Sequence, residues 1–166
     1  MTGNTFKILG LIAILACLGS LAKAQNNVNN ITNSYFGLKN ALAEGSGSAA
    51  ENSAKTLLAA LTAPEKLTPD QQKVFNTYIE KLKFDARHIS EVNDIEHQRE
   101  HFQSLSKNLY EVLKGLKMNT TTVYMDYCPM KKAYWLSETS AIKNPYYNDK
   151  SMATCGKTTA TLAAVK

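Results

Sequence analysis

The sequence predicts a mainly α protein, an up-down antiparallel four-helix bundle with a small C-terminal β-hairpin/loop segment. Three observations carry this. Apolar residues recur at helical spacing in four successive stretches, the stretches are joined by short links rich in capping and breaking residues, and after Asn119 the pattern changes to β-branched and aromatic runs. At 166 residues the chain is long enough for one sizeable core, and a single domain over residues 25–166 is expected.

The chain opens on a segment that carries an address rather than a fold. Met1 to Ala24 holds one early cation (Lys7), an apolar run from Ile8 to Leu18, and Ala22-Lys23-Ala24 with small residues at the −3 and −1 positions, so it reads as a cleaved secretory signal. Gly10 and Gly19 interrupt the run, which is too short to span a bilayer, and no membrane span is expected after cleavage. Ile14-Leu15-Ala16-Cys17 offers a second reading, a lipoprotein anchored at Cys17, but the sequence stays apolar through Leu21 where a lipoprotein turns polar. The expected location is periplasmic or secreted. Cleavage lowers the formal charge from +5 to about +3, because Lys7 and Lys23 leave with no acid. Without a long basic run or arginine stripe, nucleic-acid binding is excluded as a function class.

Gln25 to Asn30 is Asn-rich and is expected to be a tether. A first helix is predicted from Ile31 to Ala43, with Ile31, Tyr35, Leu38 and Leu42 on one face and Gly45 just beyond it as the left-handed cap. Ser48 and Glu51 fit a capping box for a second helix carrying Leu57, Leu58 and Leu61 up to Pro64. Thr68, Pro69 and Gln71 fit the N-cap, N1 and N3 positions of a third, whose apolar face is Phe75, Tyr78, Ile79, Leu82, Ala86 and Ile89. Asn93 and Glu96 form the candidate box of a fourth, with Ile95, Phe102, Leu105, Leu109, Val112 and Leu116; Met118-Asn119 closes it. Thr120 to Tyr127 and Ala133 to Ser137 then read as a hairpin whose turn holds Cys128 and Met130. A turn-rich stretch, Asn144 to Lys150, leads to Met152 and Cys155, and Thr158 to Leu162 reads as a last short strand.

The chemistry-bearing set lies in this segment of about residues 120–166. Cys128-Pro129-Met130 and Met152-x-x-Cys155 place two thiols and two thioethers in closely spaced pairs, and soft sulfur donors favour Cu(I) over hard ions. Copper, as Cu(I), is therefore the expected ligand, with zinc as the weaker alternative. The same pair of cysteines, in an oxidising compartment, also fits a Cys128–Cys155 disulfide that closes a loop of about 28 residues and contributes about 3–4 kcal/mol. Sequence leaves ligand and staple open, since Met is also a common core filler.

The histidines form a second group. His97 and His101 are four apart on one helix, the spacing that presents two imidazoles to one ion, and an antiparallel hairpin brings His88 to the same end of the bundle. His97 and His101 are taken as further candidate metal ligands, and a Zn²⁺ site of both thiolates with both imidazoles follows as a variant. Asp94, Glu96, Arg99 and Glu100 read as a solvated face, with Asp94 or Glu100 able to orient an imidazole. Ser104, Ser106 and Ser137 lack a nucleophile motif, so the chain is not read as an enzyme. Tyr124, Tyr127, Tyr134, Trp135, Tyr146 and Tyr147 are expected to build the small core of the C-terminal segment.

Taken together, Tyr35-Phe36-x-Leu38-Lys39-x-Ala41-Leu42, Asp94-Ile95-x-His97-Gln98-Arg99-x-x-Phe102-x-x-Leu105-Ser106, Tyr127-Cys128-Pro129-Met130, Ala133-Tyr134-Trp135-Leu136-Ser137, Asn144-Pro145-Tyr146-Tyr147 and Met152-x-x-Cys155-Gly156 resemble the domain of unknown function 3347 over nearly the whole mature chain. The resemblance implies an exported Gram-negative module, found alone or joined to periplasmic adaptors of copper/silver-type efflux pumps, and hence soft-metal handling in the envelope with an efflux adaptor as partner. Asn148-Asp149-Lys150-Ser151 lengthens the path to Met152 relative to that pattern, and Lys131 and Lys132 follow Met130 in a short link.

Overall fold

A helix start leaves its first N–H groups without partners, so a side chain that can accept them decides where the helix begins. The computed structural model of the chain describes residues 27–63 and 66–165. In it the four helices are α1 (27–43), α2 (Gly47–Thr62), α3 (Pro69–Ser90) and α4 (Ile95–Leu116). The signal and Cys17 readings fall on residues 1–24, outside those described. Thr68 caps α3 with the full reciprocal box to Gln71 and with Pro69 in the first turn, as expected.

Three boundaries differ from the expectation, each for a tertiary reason. Residues 27–30 belong to α1 rather than to a tether, because Val28, 1% exposed, extends the apolar stripe by one turn and buries it. The cap of α2 is Ser46, not Ser48: α1 ends with Gly45 at φ 76° and with the N–H of Ser46 donated to Ala41 O, so the residue that closes one helix opens the next. The cap of α4 is Asp94, not Asn93, with its carboxylate accepting from Glu96 N and His97 N. Asp94 is thereby a helix cap rather than an orienting group for an imidazole.

Hydrogen bonds fix the directions of the helices. Gln71 Nε2, at the start of α3, donates to Leu116 O at the end of α4, and Gln98 Nε2, near the start of α4, donates to Val92 O and to Gly47 O at the start of α2. The start of α3 thus lies against the end of α4, and the start of α2 lies beside the start of α4. Gly115 lets α3 approach, since a Cβ there would lie 2.6 Å from a methyl of Val74. From α1, Tyr35 stacks on Phe102 at 5.2 Å and its hydroxyl lies 2.7 Å from Ser106 Oγ.

After Lys117, in the left-handed conformation, come β1 (Val123–Cys128), β2 (Ala133–Ser137), a 3-10 turn (Lys150–Met152) and β3 (Lys157–Leu162). The expected hairpin is thus two strands of an antiparallel three-stranded sheet of order β2-β1-β3. Asp126, wholly buried, ties the strands together by accepting from Ser137 Oγ and Thr158 Oγ1, while Trp135 Nε1 donates to Ser137 Oγ. The sheet has no core of its own. Cys128, Ala133, Trp135, Leu136 and Tyr146 join the helical residues in one continuous apolar cluster, and the Tyr35 hydroxyl, which burial keeps neutral, accepts from the N–H of Leu136 in β2.

The start of α1's last turn is pinned to the end of β2 by charge. Lys39 Nζ, 3% exposed as a residue, lies 2.8 Å from Glu138 Oε2, and Asn40 donates to Oε1. Burial pulls the Glu138 carboxyl up, but the Lys39 and Asn40 donors outweigh it and hold the pKa below the ordinary 4.5. A depressed acid stabilises the fold above its unfolded pKa and loses that contribution as pH falls through the folded one. Lys39→Met should therefore flatten the acid side of the stability profile below about pH 4.5. It should also cost about 2 kcal/mol at neutral pH, less than the 3–5 of a fully buried pair because Glu138 is 34% exposed. Urea unfolding across pH checks both; an unchanged acid limb counts against the pair.

Candidate functional site

The two thiols meet because β1 is paired on both sides. Tyr127 pairs with Lys157 at the start of β3 and Cys128 pairs with Ala133 at the start of β2, so the segment before β3 must fold back over the end of β1. Gly156 makes that bend: its φ is 151°, and a Cβ would stand 2.6 Å from the Trp135 indole and 3.2 Å from Tyr127 O. Cys155 Sγ then lies 3.4 Å from Cys128 Sγ, both as free thiols. This exceeds the S–S bond of about 2.05 Å and falls short of the roughly 3.8 Å between two thiolates on a tetrahedral ion.

The loop between β2 and the 3-10 turn holds this arrangement in place. Asn144, 1% exposed, donates its side-chain amide to Cys155 O, accepts from the N–H of Tyr146, and donates its own N–H to Ala153 O. Tyr146 donates its hydroxyl to Tyr134 O in β2. Arg99 of α4 reaches the same loop with its whole fork: Nε donates to Pro145 O at 2.7 Å, Nη2 to Asn148 Oδ1 at 2.8 Å and to Leu42 O of α1 at 3.0 Å, and Nη1 to Glu96 at 2.5 Å. At 4% exposure Arg99 is not part of a solvated face. It is the residue that the surface-charge reading missed. The period could have found it, since Gln98, Arg99, Phe102, Leu105 and Ser106 all lie on one helical stripe and all are buried.

Electrostatics split the pair. Burial pushes the Cys128 thiol up, yet donors from the Lys131 N–H, the Cys155 thiol, the Asn144 amide and the Met130 N–H overcome it and hold the pKa below that of an ordinary thiol. Cys155 moves the other way, because it supplies the S–H that its partner accepts, and its own desolvation adds to the rise. Cys128 is thus the more acidic of the two thiols and the acceptor of the contact between them. Met130 sits in the turn at 69% exposure, and Met152 lies half-buried in the 3-10 turn. Lys131 places its ammonium over the Tyr147 ring, 5.1 Å from the centroid.

His97 and His101 are gathered elsewhere. They lie on the side of α4 that faces α3, where His101 Nδ1 contacts the Asp85 carboxylate at 3.1 Å, whereas Arg99 and Gln103 turn toward the loop and hairpin that carry the thiols. His101 stands between His88 and His97, with ring centres 4.7 and 5.0 Å away. No direct contact joins the thiols and the imidazoles among the described residues, although Glu100, beside His97, lines the same surface pocket as Lys131 and Ala133. Among the described residues no three His, Cys, Asp or Glu side chains converge on a point that would hold an ion. Of the expected aromatic core, Trp135 and Tyr146 are buried and meet edge to face, while Tyr127 and Tyr134 pair at 4.6 Å and are half-buried.

Ultraviolet titration of the reduced protein should resolve two thiolate steps, one below and one above the ordinary thiol value. A single step for both thiols would remove the difference in acidity. Arg99→Lys, which cannot reproduce the fork, should release the loop and speed alkylation of Cys128 by about tenfold or more, since a loss of about 1.5–3 kcal/mol of charge-assisted bonding opens the site more often.

The family described as "Protein of unknown function (DUF3347)" matches residues 31–121, α1 to just past the end of α4, and the chain belongs to that family. The matched span is thus shorter than the resemblance read from the motifs, and the thiol segment follows it. No curated protein and no solved structure matches the chain.

Proposed function

We propose that this family member is an exported, non-enzymatic binder of a soft metal ion, Cu(I) or Ag(I), that buffers the ion or passes it to a periplasmic efflux adaptor. The single observation that carries this is the close pair of thiols, 3.4 Å apart, with a methionine close in sequence to each. Donors around Cys128 hold its pKa below that of an ordinary thiol, and a more acidic thiol gives up its proton to a metal at lower cost. Cys128 and Cys155 are the primary ligands, Met152 the third donor from within and Met130 the exposed thioether through which an ion enters or leaves. The helices, read as an up-down bundle, hold these loops and take no part in the chemistry. No helix among the described residues is long and apolar enough to cross a membrane.

The same distance supports a second reading from another class. Thiols this close need little movement to reach disulfide length, and an oxidised pair would make the chain a stapled structural or interaction module of the envelope. The zinc reading that joins both thiols with His97 and His101 is not favoured, because the nearest partners of those imidazoles are Asp85, Glu100 and His88, and no group of three ligand side chains converges among the described residues.

Reduced mature protein should bind about one Cu(I) far more tightly than Zn²⁺ in competition with a chelator, and Cys128→Ser with Cys155→Ser should abolish that binding. Unchanged affinity in the double variant rejects the proposal. Met130→Leu and Met152→Leu should weaken Cu(I) binding while costing under about 1.5 kcal/mol of metal-free stability, since volume and apolarity are kept. If both bind copper like the parent and mass spectrometry of exported protein finds Cys128 joined to Cys155, the stapled module is the correct reading.

A further inference from the structure

Three imidazoles, a buried carboxylate and an exposed aromatic ring are packed together where the end of α3 meets the start of α4. None of them is used by the thiol site. We infer that His88, His97 and His101 form a second, separate metal site, selective for a borderline divalent ion such as Zn²⁺ and built from nitrogen donors only.

The inference rests first on how the rings are held. A ligating histidine presents one ring nitrogen to the metal and gives the N–H of the other to a carboxylate or a backbone carbonyl. Two rings are held this way, with Phe84 O 3.0 Å from His88 Nδ1 and Asp85 Oδ1 3.1 Å from His101 Nδ1, while His97 Nδ1 makes a looser 3.5 Å ion-pair contact with Glu100 Oε2. With the hydrogen on Nδ1 of His88 and His101, their Nε2 lone pairs are left for a ligand. Asp85 is only 4% exposed, and its carboxylate meets the His101 ring, as an orienting partner does.

Spacing is the second support. Two imidazoles on one ion, with metal–nitrogen bonds of about 2.0–2.1 Å, have ring centres about 5 Å apart at a tetrahedral angle. His101 stands 4.7 Å from His88 and 5.0 Å from His97. The rings are tilted by 31° and 73°, and the three nitrogens do not yet converge on one point. His97, whose side chain is 45% exposed, can leave its 3.5 Å contact with Glu100 and turn toward the other two rings on the nanosecond scale. Phe84, 54% exposed, packs 4.1 Å from the His88 ring and 5.9 Å from His101 and walls one side of the group against water. Imidazole donors without a thiolate suit Zn²⁺, Ni²⁺ or Cu(II), not Cu(I), so the two sites divide by ligand softness.

Titration of the reduced parent protein with Zn²⁺, and with Co²⁺ as its coloured substitute, tests this. The expected result is one Co²⁺ with visible ligand-field bands and no thiolate charge-transfer band, retained in the Cys128→Ser, Cys155→Ser variant. His97→Gln and His101→Gln should each weaken Zn²⁺ binding by about tenfold or more. Asp85→Asn, which touches no metal, should do so by 10–100-fold with helical circular dichroism unchanged, as loss of an orienting partner does. Should Asp85→Asn unfold the chain, exposed His97→Gln still decides. No Co²⁺ or Zn²⁺ binding by the parent overturns the inference, as does binding that ignores the histidine variants and vanishes with the cysteines. Cu(I) affinity, read from the cysteine variants alone, stands or falls independently of this result.

Discussion

Arg99 is the interaction on which the rest of the arrangement depends. A guanidinium at 4% exposure must spend its donors on fixed acceptors, and this one reaches Leu42 O at the end of α1, Pro145 O and Asn148 in the loop after β2, and Glu96 in its own helix. Three segments remote in sequence are thereby brought to one point. The loop so held carries Asn144, and Asn144 in turn holds Cys155 O and helps to lower the Cys128 pKa. The thiol pair is therefore set by a charged residue of a helix that does not itself touch either sulfur.

The sheet is bound into the same frame by buried polar contacts rather than by apolar packing alone. Tyr35 bridges α1, α4 and β2 through one hydroxyl, and Asp126 bridges all three strands through one carboxylate. Such groups are costly when left unpaired and so penalise any arrangement that breaks them. They specify one position for the sheet against the helices. That is why Cys128, at 0% exposure, lies in the common core and Cys155 at its margin; the hydrogen-bond donors around Cys128, acting against its burial, make it the more acidic of the two.

The two clusters of metal-ligand residue types occupy different chemical settings. The sulfurs sit at the rim of the sheet, next to backbone N–H donors and aromatic rings. The imidazoles sit on the helical surface beside carboxylates. Arg99 and Gln103 on one side of α4 and His97 and His101 on the other make the helix a partition between them.

Local chemistry written in the sequence was enough for much of this. The Thr68, Pro69 and Gln71 cap, the apolar stripes of α3 and α4 and the strands around Cys128 all follow from period, caps and turn residues, which act over a few positions. What sequence did not determine were choices between near-equivalent neighbours and the destinations of long side chains. Ser46 or Ser48, and Asp94 or Asn93, were each decided by where the preceding segment ended and what it packed against. Whether Arg99 faced water or the core, and whether the histidines joined the thiols, depended on which face of α4 received the loop and hairpin. That choice is set by the summed burial and hydrogen bonding of residues far apart in the chain, and only the tertiary structure expresses it.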